Sequence, residues 1–133
     1  MTKKIEALDE LMFRQIHPSF VEDDGVPSSQ PFRPTEKDNN KLSVDRSSVH
    51  AVDAAYDLFV AEGHQSAGVY GLTVGEFSAE QIPCFEDPIP ATPASMGNDA
   101  HAVADYTVHS LSQQRKVAKR LKQAAVKRGR LHP

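Results

Sequence analysis

From Ser110 to Gly129 the chain has room for only one structure, and that structure has two unlike sides. Ser110-Leu-Ser-Gln113 has the spacing of a capping box, and Gly129 suits the position just past a helix end. At about 100 degrees per residue, Leu111, Val117, Ala118, Leu121, Ala124 and Ala125 gather on one arc of roughly 140 degrees. Arg115, Lys116, Lys119, Arg120, Lys122 and Lys127 fall on the other side. A rod of this kind requires an apolar surface to lie on, so the rest of the chain must supply one. The charge is divided in the same way: all 18 acids lie at or before Asp105, whereas eight of the 15 bases follow it. Such a division speaks to partners rather than to fold.

Upstream, the pattern alternates between strand and helix periods. Leu11 to Ile16 reads as a strand, preceded by an N-terminal extension or short helix over residues 1–10, with Lys3–Leu11 at the spacing of a short helix leading into it. Ser19–Asn40, with Gly25, Pro27, Pro31 and Pro34, reads as an ordered excursion or a lid, because proline breaks continuous ladder bonding. Lys41 to Asp45 alternates as a half-buried strand. Ser47-Ser48 offers an N-cap to an amphipathic helix carrying Val52, Ala55, Tyr56, Phe59 and Val60, which ends at Gly63. Gly68–Val74 is apolar throughout and is expected at the centre of the sheet. Glu76–Gln81 reads as one helical turn and Ile82–Phe85 as a short edge strand. Asp87–Asp99 reads as a long mobile or functional loop, and Ala100–Val108 as the last strand, closing the sheet. With 133 residues, 39% of them apolar and 25% charged, one folded domain is expected rather than disorder. The fold class is α+β: a small mixed, mostly antiparallel sheet of about five strands, one central helix and the C-terminal amphipathic helix.

Several function classes lose support at this stage. No apolar run is long enough for a membrane span, and Met1–Glu6 lacks a signal core, so a cytoplasmic protein without membrane contact is expected. Cys84 is the lone cysteine and sits in an apolar run, which points to a buried structural thiol. The six histidines are scattered singly, so no metal site is expected, and no phosphate-cradling glycine loop or nucleophile elbow is present. A looser polar set stands out instead: Arg14 and His17 at the end of the first strand, Ser43 on the second, and Glu76 after Gly68–Val74. Strand ends that converge on these groups would form a cleft for an anionic ligand.

Phe13-Arg-Gln-Ile-His-Pro-Ser-Phe20, Ser28-Ser-Gln-Pro-Phe-Arg-Pro34, Lys37-Asp38 and Leu42-Ser-Val44 together resemble a family of small uncharacterised bacterial proteins. The order of elements is also similar to the ADP-ribosyltransferase fold and its RNA 2'-phosphotransferase branch, with Gln15-Ile16-His17 where that fold carries His-Gly-Thr. That resemblance implies Arg14 or His17 on the phosphates or ribose of NAD, Ser43 in the nicotinamide pocket and Glu76 as the acid. Two functional readings follow. In the first, no cofactor is involved, and the chain docks a protein or nucleic-acid partner through the basic helix and acidic body in a defence or toxin-related locus, with a homodimer as a variant of the same contact. In the second, the chain is an enzyme or ligand-binding protein acting on NAD or an RNA phosphate.

Overall fold

The computed structural model describes residues 3–133. Strand β1 (Leu11–Ile16) leads into an excursion with three short 3-10 turns at Pro18–Phe20, Gln30–Phe32 and Glu36–Asp38. Then follow β2 (Lys41–Arg46), α1 (Val52–Ala61), β3 (Gly68–Thr73), α2 (Val74–Ala79), β4 (Cys84–Glu86), β5 (His101–Asp105) and α3 (Leu111–Arg128). The strands form one sheet in the order β3-β1-β2-β5-β4, and every neighbouring pair is antiparallel, so the expected mixed pairing is not present.

Period-two alternation gives this sheet two different faces. On one, Met12, Ile16, Leu42, Val44, Leu72, Ala102 and Ala104 pack with Val117, Ala118, Leu121 and Ala125 of α3, and Phe32, Phe77 and Tyr106 fill the space around them. Burying side chains of this size contributes about 1.5–3 kcal/mol each, so this face carries most of the stability. The buried Tyr106 hydroxyl donates to the Phe32 carbonyl, which ties the excursion to this core. On the opposite face only Phe13, Ala55 and Val69 form a buried cluster, beneath α1. Gln15, Ser43, Asp45 and His101 lie on that face among Leu11, Phe85 and Val103, and they contribute to the site described below.

Several expectations change. Gly68–Val74 lies at the sheet edge as β3, not at its centre. It is buried because both its faces are covered and its outer edge is taken by the C-terminal tail, where Leu131 N donates to Val69 O at 2.8 Å and Val69 N to His132 O at 2.7 Å. The segment before β1 is not a helix: Lys4 bridges Phe85, and Ile5 N donates to Cys84 O at 2.9 Å, extending the sheet beyond β4. The last strand, β5, lies between β2 and β4. Ala51, not Ser47 or Ser48, precedes α1, since Ser47 Oγ accepts from Leu11 N and Ser48 Oγ donates to Glu10. Within α1 only Ala55 is fully buried, and Val60 is exposed. Cys84 is fully buried, and that burial pushes its thiol pKa up to about 12. Among the described residues no helix is long and apolar enough to cross a membrane.

Candidate functional site

β1 and β2 pair only at Met12–Arg46 and Phe13–Asp45. Beyond that point β1 keeps pairing with β3 as far as Ile16, while β2 keeps pairing with β5 down to Lys41, so the two strands part. The Arg14 guanidinium occupies the gap. Its Nε donates to the Pro31 carbonyl at 2.7 Å and its Nη1 to the Ser43 carbonyl at 3.0 Å, an acceptor that a continuing ladder would have given to β1. Nη2 has no hydrogen-bond partner among the described residues, and no carboxylate among them lies within ion-pair distance of Arg14. Burial disfavours its charge and lowers its pKa, offset in part by more distant groups that include Asp38 and Asp45. A desolvated cation satisfied only by carbonyls is costly, and an anion beside it removes that cost.

Arg14 alternates with Met12 and Ile16 of the α3 face, and from the gap between β1 and β2 its side chain lines a cleft of about 700 Å³ whose floor is on the other face of the sheet. Its floor continues through Ser43 and Asp45 of β2 to His101 of β5, the cross-strand partner of Asp45. Burial raises the Asp45 pKa, opposed by a 2.7 Å hydrogen bond from Asn98 Nδ2 and by the nearby His101, His50 and Arg14. One wall is α1 and the turn after it, where His64 stacks on Phe59 with ring centroids 4.7 Å apart. The facing wall is the proline-rich segment after β4. That segment folds back on itself through Ile89–Asn98 and Thr92–Ser95 bridges and is tied to α1 by Glu62, which accepts from Met96 N at 2.8 Å. Gly97, with φ of +74°, is required there, because a Cβ would meet the Ala91 nitrogen at 2.5 Å. His17 closes one end, its Nδ1 accepting from Ser19 N at 3.0 Å.

Three of the four candidates read from the sequence, Arg14, His17 and Ser43, therefore share one cleft. Glu76 does not line it. It closes the capping box of α2, accepting from Thr73 N at 2.8 Å, and it also accepts from Arg128 Nη1 at 2.8 Å. Burial raises its pKa, but the hydrogen bonds from Arg128 and Thr73 outweigh that and hold it below the usual value. Sequence reading missed Asp45, Asn98 and His101. The alternation of Lys41–Asp45 and of Ala100–Val108 already set Ser43 and Asp45, and likewise His101, opposite the apolar positions of their strands. What it lacked was the pairing that makes those faces one surface.

On α3, the capping box and the Gly129 C-cap occur at the expected residues. Val117, Ala118, Leu121 and Ala125 are buried, whereas Leu111, expected beside them, is 60% exposed. Two of the six expected docking cations face their own chain: Arg120 forms a two-pronged pair with Glu80 at 2.8 Å, and Lys122 lies 3.6 Å from Glu22. Arg115, Lys116, Lys119 and Lys127 are exposed and form no ion pair among the described residues. No group of three or more His, Cys, Asp or Glu among the described residues has metal-holding geometry. No protein-family model, curated protein or solved structure matches the chain.

Proposed function

We propose that this chain binds a small anionic molecule in the cleft between α1, the segment after β4 and the polar face of the sheet. The supporting observation is Arg14, whose guanidinium lines the cleft with no carboxylate partner and one nitrogen unbonded among the described residues. The stacked Phe59–His64 pair on the wall suits a flat, ring-bearing portion of such a ligand. NAD and an RNA phosphate, the ligands that the resemblance implies, both carry the required anion.

Thermal unfolding and amide NMR in phosphate, ADP-ribose or short RNA, against chloride of equal ionic strength, test this reading. A ligand at about ten times its Kd stabilises the folded state by about 1.4 kcal/mol. Stabilisation is expected together with amide shifts at Gln15, Ser43 and Asp45, and Arg14→Gln should lose both while Arg14→Lys retains part. Absence of shifts with every anion at millimolar concentration refutes the cleft as a ligand site.

A second reading rests on a different surface. Arg115, Lys116, Lys119 and Lys127 of α3, which form no ion pair among the described residues, present a positive strip to solvent, which favours docking of a nucleic acid or an acidic protein surface.

A further inference from the structure

The cleft holds a second charge without a partner, opposite in sign to Arg14 and on the α1 face of the sheet. Asp45 sits in a row of cross-strand partners, with Phe13 of β1 on one side and His101 of β5 on the other. Residues paired in this way share a face, with Cβ atoms about 5 Å apart. Neither neighbour neutralises the carboxylate: Phe13 has no charge, and His101 Nδ1 turns to the carbonyl oxygen of Asp87 at 2.8 Å. Among the described residues no Lys, Arg or His nitrogen lies within ion-pair distance of Asp45. Burial therefore outweighs the nearby His101, His50 and Arg14 and holds its pKa above the usual value.

One oxygen of this carboxylate is firmly held. Asp45 Oδ1 accepts from Asn98 Nδ2 at 2.7 Å, and Asn98 Oδ1 accepts from Ala100 N at 3.0 Å, which fixes the orientation of the amide. Oδ2 has no hydrogen-bond partner among the described residues, yet it is not sealed off. The one buried side-chain nitrogen or oxygen among them without a partner is His50 Nδ1. Oδ2 thus opens to solvent, and the space that Asp45 lines is the cleft, where Phe13, Ala55, Leu58, Phe59 and Ile89 supply apolar wall. The donors around Asp45 form no metal-holding group among the described residues, so its surroundings suit an organic cation with a flat apolar body.

We infer that Asp45 anchors a cation subsite that takes a flat ring bearing an amidinium-type N–H edge, one N–H donating to Oδ2 and the ring lying against the apolar wall. A planar fork of N–H groups matches carboxylate geometry, and a charge-assisted bond relieves a desolvated acid that has only one donor of its own. The subsite goes beyond the anion reading and does not depend on Arg14, which bonds the Pro31 and Ser43 carbonyls from the gap between β1 and β2.

Benzamidine and benzamide share a ring and a planar head group, but only benzamidine is cationic at about pH 8, above the ordinary carboxyl and histidine ranges. In NMR titrations of the full chain, benzamidine is expected to bind at least about tenfold more tightly than benzamide and to shift the amides of Asp45, Asn98 and His101. Asp45→Asn keeps an oxygen for Asn98 and removes the charge. It is expected to bind the two compounds within about twofold, with thermal unfolding confirming that it folds, whereas Arg14→Gln is expected to keep the wild-type preference. Equal binding of both compounds by the wild type, shifts confined to other parts of the chain, a preference that survives Asp45→Asn or one lost in a folded Arg14→Gln each overturns the inference. Should Asp45→Asn not fold, the wild-type preference and the location of its shifts decide alone. Benzamidine binding without any response to phosphate leaves this subsite standing and removes the anion reading, and the reverse outcome does the opposite.

Discussion

Glu10 and Arg14 lie close together in the sequence and show opposite treatments of a buried charge. Glu10, whose side chain is 6% exposed, accepts from Arg46 Nε at 3.0 Å, from Arg46 Nη2 at 2.9 Å and from Ser48 Oγ at 2.7 Å. Burial alone raises its pKa, but these bonds outweigh it and hold the carboxyl below its usual 4.5. A carboxyl with a lowered folded pKa stabilises the fold above the ordinary value, and that contribution is lost as pH falls through the lowered one. Glu10→Gln is therefore expected to lose stability at pH 7 and to lose less than the wild type on further acidification, as read by urea midpoints at about pH 7 and pH 3. Glu10→Ala leaves Arg46 only the more distant Glu86 at 3.7 Å and should cost about 1–3 kcal/mol. Equal acid sensitivity in wild type and Glu10→Gln would refute this assignment. Arg14 has no such partner, which is why it, and not Arg46, marks the ligand cleft.

At the scale of elements, α3 is the most legible part of the chain. Its cap, its end and its buried stripe are set by spacing over a few residues, and local spacing is what a sequence displays directly. Which of its cations are free was not legible, because Glu80 and Glu22 are brought to Arg120 and Lys122 from far away in the chain. That distinction shapes the test of the docking surface. Reversing Arg115, Lys116 and Lys119 to glutamate disturbs no ion pair among the described residues, so thermal unfolding should change little. Binding of a short DNA duplex, followed by fluorescence anisotropy, should weaken strongly, and the slope of its salt dependence should flatten by about 0.9 for each phosphate left without a cation. Undiminished binding by the triple variant would remove the second reading. β3 teaches the complementary lesson. An apolar run reports that both faces of a strand are covered, not that both edges are paired, and here the outer edge is closed by the tail.

At the scale of the whole molecule, both outer strands of the sheet are flanked by chain ends. Lys3–Ile5 lies along β4, and Leu131–His132 lies along β3, where His132 also packs on Tyr56 of α1 with ring centroids 4.8 Å apart. Unpaired edges are sites of unwanted strand addition, so these contacts protect the sheet as well as steady the α1 wall of the cleft. Deleting Arg130–Pro133 removes two main-chain hydrogen bonds and the packing of Leu131, an expected loss of roughly 2–3 kcal/mol. The shortened chain should also self-associate with rising concentration in sedimentation velocity. A shortened chain that stays as stable and as dispersed as the full one would show that the tail has no such role.

The elements of this protein are written locally: hydrophobic period, caps and prolines over stretches of a few residues determined nearly every strand and helix, the α+β class, and the two-sided character of α3. Arg14, His17 and Ser43 were visible as polar residues near strand ends for the same reason. The order β3-β1-β2-β5-β4, the parting of β1 from β2, the meeting of Asp45 with His101, and the removal of Glu76 to Arg128 were decided only by the tertiary structure. These depend on pairings between residues tens of positions apart. Their energies come from ladder bonds and desolvation that no short window of sequence contains.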